Sequence, residues 1–297
     1  MSIVRSLSVG NGDMFYIKHN TDNFTIIDCC LTDSNKEQIV EELKFQSKGV
    51  GITRFISTHP DDDHIRGLSY LHEQMNLLNF YCVKNDAIKP DYTDDFEQYC
   101  NLRDDTKKAF YLFRDCSRKW MNLDDDERKN SGLRVLWPIT TNTCYQEELD
   151  KVADGDCPNN ISTILKYKMA NSVSMMWMGD LETDFMGEIK DQITLDRADI
   201  LFAPHHGRDS GKVPSEWLEQ IDPKLIIIGE APSEHLNYYD GYNTITQNSA
   251  WDITMDCVRG MAHIYVFNDD YSVDFLDYEF LPSNEYGNYI GTLKVGE

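Results

Sequence analysis

The segment TRFISTHPDDDHIRGL at residues 53–68 constrains the fold more than any other part of the chain. Four side chains that bind metal ions well, His59, Asp61, Asp63 and His64, lie within six residues directly after an apolar run. Crowded aspartates repel one another unless a cation neutralises them, and imidazole with carboxylate suits zinc, manganese or iron. A polar loop that caps a helix is the alternative for the aspartates alone, but the flanking histidines favour a metal site.

Two later apolar runs end in the same way. The run in MMWMGDLE leads into Gly179-Asp180, and the run in ADILFAPHHGRDSG leads into His205-His206. Functional side chains of α/β sheets gather at strand ends and in the loops beyond them, so three such strands can converge on one site. A Gly-Asp or His-His pair alone is a weak motif, but together with the first segment these pairs predict a shared metal centre.

The remaining pattern predicts a layered α/β domain, because short strands and helices are mixed along the chain. Strands are predicted by apolar runs at 52–56, 133–137, 163–165, 173–177, 200–202 and 225–228. Residues 84–130 combine charge and aromatic side chains with helix-like spacing in DDTKKAFYLFRDCSRKWMNL, which predicts a helical insertion. No repeat or low-complexity linker divides the chain, so we treat residues 1–297 as one domain.

Composition limits the partners. A formal charge of -23, from 51 acidic and 28 basic residues, repels polyanions and counts against non-specific nucleic-acid binding. Metal ions would reverse the sign locally. The chain opens without a signal-peptide pattern, and no apolar run approaches the ~20 residues of a membrane span. With eight cysteines and no CxxC, we expect a cytoplasmic protein with mostly reduced cysteines and no membrane contact.

The motifs resemble the metallo-β-lactamase superfamily, and within it the ComEC/Rec2-like branch. The superfamily's HxHxDH signature corresponds to HPDDDH at residues 59–64, with the aspartate that is typical of this branch in place of the second histidine. Further elements occur in the family's order: SVGNGDMFYI resembles its DVGQGD opening, IIDC its IDCG strand, NNIS its NNxS element, MGDLE its TGD-type strand end and PHHG its HHGS element. Ser8 and Arg208 depart from that pattern, which spans roughly residues 4–210.

The resemblance implies an αββα four-layer sandwich with a helical insertion, and it implies ligand roles. His59 and Asp61 would hold one metal ion with a third ligand, Asp63 and His64 would hold a second, and Asp180 would bridge the two. Either histidine of the His205-His206 pair could complete the second site. We favour His205 as the ligand because it lies closer to the strand end, and we assign His206 a catalytic role.

One departure concerns the first metal. Where relatives have a histidine in the third motif, this chain offers Asn160 or Ser162, which makes a one-metal or metal-labile centre conceivable. Oxygen ligands also make manganese a rival to zinc. Asp13 and Asp209 are expected beside the substrate or behind the ligands. The Gly10–Asp13 turn either lets the backbone approach the metals or is an ordinary hairpin turn, which the residues alone favour.

The implied function is metal-dependent hydrolysis by a metal-activated hydroxide at a dinuclear centre of two divalent metal ions, zinc or manganese. Asp63 would also orient the water, and His206 would donate a hydrogen bond or protonate the leaving group. We favour a phosphodiesterase or nuclease acting on nucleic acid or a nucleotide. A protein partner could supply basic surface or control, as for branch members in bacterial defence loci. The alternatives are hydrolysis of a small ester, lactone, thioester or lactam, and a non-catalytic regulatory subunit with a vestigial metal site.

Overall fold

The computed structural model describes residues 1–168, 172–231 and 238–295. The strands are β1 (Ser2–Ser6), β2 (Phe15–Lys18), β3 (Asn23–Ile27), β4 (Cys29–Cys30), β5 (Ile52–Ile56), β6 (Phe80–Cys82), β7 (Ala109–Tyr111), β8 (Leu133–Trp137), β9 (Ile164–Lys168), β10 (Ser174–Trp177), β11 (Ile200–Phe202), β12 (Leu225–Ile228), β13 (Thr244–Thr246), β14 (Ile253–Val258), β15 (Met261–Val266) and β16 (Asn288–Lys294). The helices are α1 (Lys36–Gln46), α2 (Asp62–Ile65), α3 (Leu68–Met75), α4 (Asp94–Asp104), α5 (Thr143–Ala153), α6 (Thr183–Ile189), α7 (Ser215–Ile221) and α8 (Gln247–Ala250).

The strands form two mixed sheets. Nine strands pair in the order β16-β15-β14-β1-β2-β3-β5-β6-β7, and six pair in the order β13-β12-β11-β10-β9-β8. Neighbours from β3 to β7 in the first sheet run parallel, as do those from β10 to β13 in the second. Because parallel strands end at the same edge of a sheet, each sheet gathers several strand-to-loop connections at one edge.

Alternation along the strands places one core between the two sheets. Ile56 of β5 and Trp177 of β10 belong to the same buried apolar cluster, although they lie in different sheets. Phe15 of β2 reaches across, with its ring centroid 6.1 Å from that of Trp177 and 5.0 Å from that of Phe202. Each such buried side chain contributes roughly 1.5–3 kcal/mol through the removal of apolar surface from water. The two sheets are therefore packed face to face.

The outward faces of the sheets are covered by helices. Phe55, the neighbour of Ile56 on β5, packs in a cluster with Leu43 of α1. On the second sheet, the Trp137 ring lies 5.5 Å from that of Tyr145 on α5 and 6.1 Å from that of Phe185 on α6. Helix, sheet, sheet and helix make up the αββα four-layer sandwich that was predicted, and the architecture is consistent with the metallo-β-lactamase fold.

Residues 84–130 differ from the expectation. They contain one helix, α4, and one strand, β7, and the helix expected over 104–123 does not form. Strand β7 extends the parallel part of the first sheet beside β6, where the Phe110 ring packs 5.0 Å from that of Tyr81 and lies under the Arg118 guanidinium. The aromatic side chains that gave the segment its helix-like spacing cover a sheet edge instead, a place that suits their β-propensity.

The last part of the chain completes the first sheet. Strands β14, β15 and β16 form an antiparallel ladder that joins β1. The resemblance covered little of this region, and no motif predicted its place in the fold. In the part of the chain that the structure describes, no helix is long and apolar enough to cross a bilayer.

Candidate metal centre

The polar side chains of the centre lie just after the ends of four strands. Strand β3 leads into Asp28, β5 into His59, β10 into Asp180 and β11 into His206. The backbone links these loops, because His205 N donates to Gly179 O at 3.1 Å and Thr163 N to Thr58 O at 3.2 Å. All three ligand-bearing segments predicted from the sequence therefore meet at one end of the sandwich.

Asp180 lies at the middle of the resulting cluster and is 1% exposed. Its Oδ1 is 3.0 Å from His64 Nε2, and its Oδ2 is 3.6 Å from His206 Nε2 and 3.9 Å from His59 Nε2. Within the described ranges, the ligand atoms of Asp13, His64, Asp180 and His206 all lie within 4.8 Å of one another. This convergence of imidazole and carboxylate is the donor set expected of a divalent metal site.

Several of these atoms have no hydrogen-bond partner. His59 Nε2, His64 Nε2 and Asp180 Oδ1 are buried and make no hydrogen bond, although His64 Nε2 and Asp180 Oδ1 lie 3.0 Å apart. A buried polar atom without a partner costs about 1–3 kcal/mol. Two ring nitrogens and a carboxylate oxygen left without partners at one place are expected where a further species completes their coordination.

The tautomers of His59 and His64 are set by groups behind the rings. Thr58 Oγ1 donates to Asp28 Oδ2 at 2.7 Å, so it can only accept from His59 Nδ1, which lies 3.1 Å away. His64 Nδ1 donates to the same Asp28 oxygen at 2.9 Å. Both rings therefore direct Nε2 at the centre. Carboxylate support behind a histidine is the usual arrangement at protein metal sites.

His206 is held in the same manner. Its Nδ1 donates to Asp13 Oδ1 at 3.1 Å, while its Nε2 lies 3.3 Å from Asp63 Oδ2, and the residue is fully buried. Although Asp13 is close enough to be a ligand, its oxygen faces the ring nitrogen that points away from Asp63. Asp13 therefore orients His206 in this structure, and its predicted place beside the substrate or behind the ligands stays a prediction.

His205 occupies a different environment. Its Nδ1 lies 2.8 Å from Ser210 Oγ, and its Nε2 lies 3.5 Å from Arg208 Nη1 and 3.8 Å from Asp180 Oδ2. A guanidinium beside Nε2 competes for the lone pair that a metal would need. The geometry thus favours His206 over His205 as the ligand, the reverse of our preference from the sequence, and the assignment of His205 stays a prediction.

The backbone at these positions is strained. Asp28, His205 and His206 have φ values of 57°, 52° and 56°, in the left-handed region that glycine favours. Such conformations cost roughly 1–3 kcal/mol each and persist where the surroundings impose them, often at functional sites. Here they turn two consecutive rings of the Pro204–Gly207 turn in different directions, with 69° between their planes.

Two glycines allow close approach of the backbone to the centre. A Cβ at Gly12 would lie 2.6 Å from Asp63 O, and one at Gly179 would lie 2.6 Å from Ser162 Oγ. Asp13 N donates to Asp63 O at 3.2 Å, which ties the Gly10–Asp13 turn to the ligand loop. The turn thus places its backbone next to the centre. This is the alternative that the residues alone did not favour over an ordinary hairpin turn.

The other predicted residues are engaged in local structure. Ser162 Oγ accepts from Asp180 N at 3.0 Å, and Asn160 Oδ1 accepts from Glu182 N at 3.1 Å. Asp61 caps α2 through Asp62 N and pairs with a lysine. Asp209 is exposed, and its carbonyl oxygen accepts from a threonine in the 3-10 turn at Asp209–Gly211. Their predicted roles in binding metal or substrate stay predictions.

The charges of the cluster shift its pKa values strongly. Burial works against the charged form of His206, but Asp180 and Asp13 outweigh it and raise its pKa to about 10. The pKa of His64 likewise lies well above its ordinary value, because Asp180 and Asp28 outweigh burial. Burial, reinforced by His64, lowers the pKa of His59 to about 3. The carboxylates thus draw positive charge into the centre.

The residues present fit a divalent metal ion. His64, His206, Asp63 and Asp180 would hold it, with His59 Nε2 also directed at Asp180. The unsatisfied atoms, the fixed tautomers and the excess of carboxylate all favour such an ion over a purely structural polar network.

Metal binding is expected to release about two protons per chain near pH 7, one from His64 and one from His206, because ligating imidazoles must be neutral. Both pKa values are raised in the cluster, so the proton competes with the metal and the apparent affinity rises with pH toward 10. Calorimetric titration in buffers of different ionisation enthalpy measures the protons released. Binding without proton release at pH 7 would contradict this electrostatic description.

The sequence analysis identified the IIDC motif that contains Asp28, but it did not predict Asp28 as a site residue. Asp28→Asn is expected to weaken metal binding about 10- to 100-fold, because the new amide NH2 would face the donors of Thr58 and His64. Asparagine tolerates the left-handed backbone, so the substitution tests the carboxylate. Equilibrium dialysis measures the affinity, with the exposed Asp33→Asn as control. Equal affinities for both variants would rule out this role.

The comparisons with known proteins concern the fold. No protein-family model matches the chain, and no curated protein matches it. Among solved structures, the metallo-beta-lactamase fold protein YhfI from Bacillus subtilis is similar, with a TM-score of 0.44 and 10% identity over 83% of this chain and 96% of that one. The αββα architecture and the buried histidine–aspartate cluster of this chain favour a metal-dependent hydrolase.

Proposed function

We propose that the protein is a metal-dependent phosphodiesterase, with single-stranded nucleic acid or a nucleotide as substrate, in the ComEC/Rec2-like branch of the metallo-β-lactamase superfamily. One observation supports hydrolase activity. Three buried histidines, His59, His64 and His206, each have Nδ1 next to a fixed hydrogen-bond acceptor. Their Nε2 atoms face Asp180 or Asp63. The motifs that resemble the branch all lie around this cluster.

When bound there, a divalent ion supplies Lewis acidity, which makes water a better nucleophile near neutral pH and stabilises negative charge on the substrate. Asp63 is 16% exposed at its side chain, whereas Asp180 is 2% exposed, so Asp63 is the carboxylate that incoming water can reach. Asp63 orients that water by accepting its hydrogen bond. Asp13 and Asp28 keep the histidines in the tautomer that leaves Nε2 free.

His205 is better placed than His206 to exchange a proton with the substrate. Both ring nitrogens of His206 face carboxylates inside the cluster, whereas the His205 ring is partly exposed at its rim. Ser210 holds Nδ1 of His205, so Nε2 is the atom that faces the centre. We therefore transfer to His205 the leaving-group role that the sequence assigned to His206; this role requires Arg208 to turn from His205 Nε2 to the substrate phosphate, so that this nitrogen can carry the proton.

Two cations at the rim support a phosphodiester over a neutral ester. Lys89 lies beside Asp61, and Arg208 lies beside His205 and Asn11. Phosphate groups are bound by such lysine and arginine side chains. A neutral ester or lactam would gain little from these charges.

The overall charge restricts the substrate. At -23 the molecule repels long polyanions, and two rim cations do not offset that field. We therefore favour a short or single-stranded substrate, or a protein partner that supplies basic surface and controls access, as in a partner-controlled defence effector. Addition of salt is expected to accelerate cleavage of long strands by screening the repulsion.

The test is a cleavage assay on purified protein stripped of metal and then reloaded with manganese or zinc. The panel holds single-stranded and duplex DNA, RNA, cyclic dinucleotides, bis-p-nitrophenyl phosphate and p-nitrophenyl acetate, beside an Asp63→Ala, His64→Ala double variant. We expect metal-dependent cleavage of phosphodiesters and loss of it in the variant. Cleavage of the acetate ester alone would contradict the phosphodiesterase, and equal activity of the variant would contradict the site.

A further inference from the structure

The two metal positions that the resemblance implies do not have equally complete sets of ligands. Ligand atoms of Asp13, His64, Asp180 and His206 converge within 4.8 Å, and Asp63 Oδ2 lies 3.3 Å from His206 Nε2. The described ranges hold no second set of three that includes His59 and Asp61. The resemblance assigned those two residues to a first metal ion. The structure therefore supports one half of a dinuclear site and leaves the other incomplete.

A lysine ammonium already pairs with Asp61, one of the two residues that the resemblance assigned to the first metal ion. Lys89 Nζ lies 2.9 Å from Asp61 Oδ1 and 2.8 Å from Asp62 Oδ1. The same Asp61 oxygen also accepts from Asp62 N at 2.9 Å. A metal ion bound through this oxygen would have to displace an internal cation that makes two charge-assisted hydrogen bonds.

The third ligand of that half is also missing. Ser162 Oγ is fully buried and accepts from Asp180 N. Asn160 is clamped to Glu182 at both ends of its amide, since Nδ2 donates to Glu182 Oε2 at 3.2 Å and Oδ1 accepts from Glu182 N. These hydrogen bonds hold the loop that carries Asp180. They also use the atoms with which Ser162 and Asn160 could bind a metal ion.

The position of Lys89 is held by its surroundings. Its side chain is 14% exposed, and its ammonium lies 5.6 Å from the centre of the Phe96 ring. The preceding residue, Ile88, donates its N–H to Val152 O on α5 at 3.4 Å, which anchors the loop before Lys89. An ammonium has three N–H donors, and the two aspartates take two of them, so one remains for a substrate oxygen.

We propose that Lys89 takes the place of one metal ion, so that the centre binds a single divalent ion at Asp63, His64, Asp180 and His206. Lys89 then supplies the second positive charge beside it. The part of Lys89 in binding a substrate phosphate rests on the proposed function, whereas the number of ions does not. Lys89 is a positioning residue for Asp61 and a candidate contact for the substrate.

The experiment counts metal ions and needs no substrate. Wild type, Lys89→Met and Lys89→Arg are dialysed against rising manganese or zinc, and bound metal is measured by mass spectrometry. Methionine keeps a long apolar stem beside Phe96 without the charge, and arginine keeps the charge. Lys84→Met is the matched control, because Lys84 is an exposed lysine of the same loop whose ammonium lies over Tyr111.

We expect one ion per chain in the wild type, Lys89→Arg and Lys84→Met. Lys89→Met should bind a second ion with an affinity on the order of 10- to 100-fold higher than the wild type does, because the repulsion by the ammonium is gone. Two ions of similar affinity in the wild type would overturn the proposal, and so would a Lys89→Met protein that stays at one ion. If no variant binds an ion, the metal-dependent function is contradicted as well. Either of the other two results overturns only the proposed role of Lys89.

Discussion

Asp180→Asn is expected to lower phosphodiester hydrolysis by on the order of 10³-fold and to abolish tight metal binding. Asp180 is the carboxylate that lies within 4 Å of Nε2 on His59, His64, His205 and His206. An amide removes the negative charge and turns an NH2 group toward atoms that need an acceptor or a metal. Loss of Lewis acidity costs several kcal/mol of transition-state stabilisation, which corresponds to a rate effect of this size.

The measurement is kcat/KM on the best phosphodiester, together with bound metal, for Asp180→Asn and for Asp184→Asn. Asp184 is an exposed carboxylate in the first turn of the following helix, so its variant controls for the loss of one negative charge. Circular dichroism establishes that both variants fold. Equal loss in both, or full activity in Asp180→Asn, would contradict the central position of Asp180.

The second large effect distinguishes the two adjacent histidines. His206→Gln is expected to lower hydrolysis on the order of 10²-fold and to weaken metal binding, because its Nε2 lies beside Asp63 and Asp180. His205→Gln is expected to lower kcat by about tenfold with metal binding unchanged, because it acts on the proton of the leaving group. The two variants are matched in chemistry and differ only in position.

Metal titration combined with a pH profile separates these roles. For His205→Gln we expect one limb of the pH profile to be lost while the number of bound ions is kept. For His206→Gln we expect the metal affinity to fall and the shape of the profile to persist at saturating metal. The reverse pattern would restore the assignment that the sequence alone favoured, with His205 as the ligand.

The location of the centre could be predicted from the sequence because its signals are local. An apolar run that stops at His59, at Asp180 or at His205 marks a strand end, and the observed strands β5, β10 and β11 end within three residues of these positions. The αββα layers followed from the family resemblance of the motifs, and the structure confirmed them. Such features need only the order of residues along short segments.

The details that the sequence does not specify depend on the backbone or on long-range contacts. Which ring of the His205-His206 pair turns inward is set by two left-handed residues, which a sequence pattern does not specify. Lys89 contacts Asp61 from a loop 28 residues away, and no motif contains it. The expected helix over 104–123 failed because aromatic side chains at a short sheet edge imitate helical spacing.

Anomalous diffraction from crystals grown with manganese or zinc would locate an ion bound at this cluster. We expect a strong anomalous peak among His64 Nε2, His206 Nε2 and the carboxylates of Asp63 and Asp180. A peak held by other residues, or no peak at this cluster under metal-replete conditions, would contradict the assignment of these side chains as a metal centre.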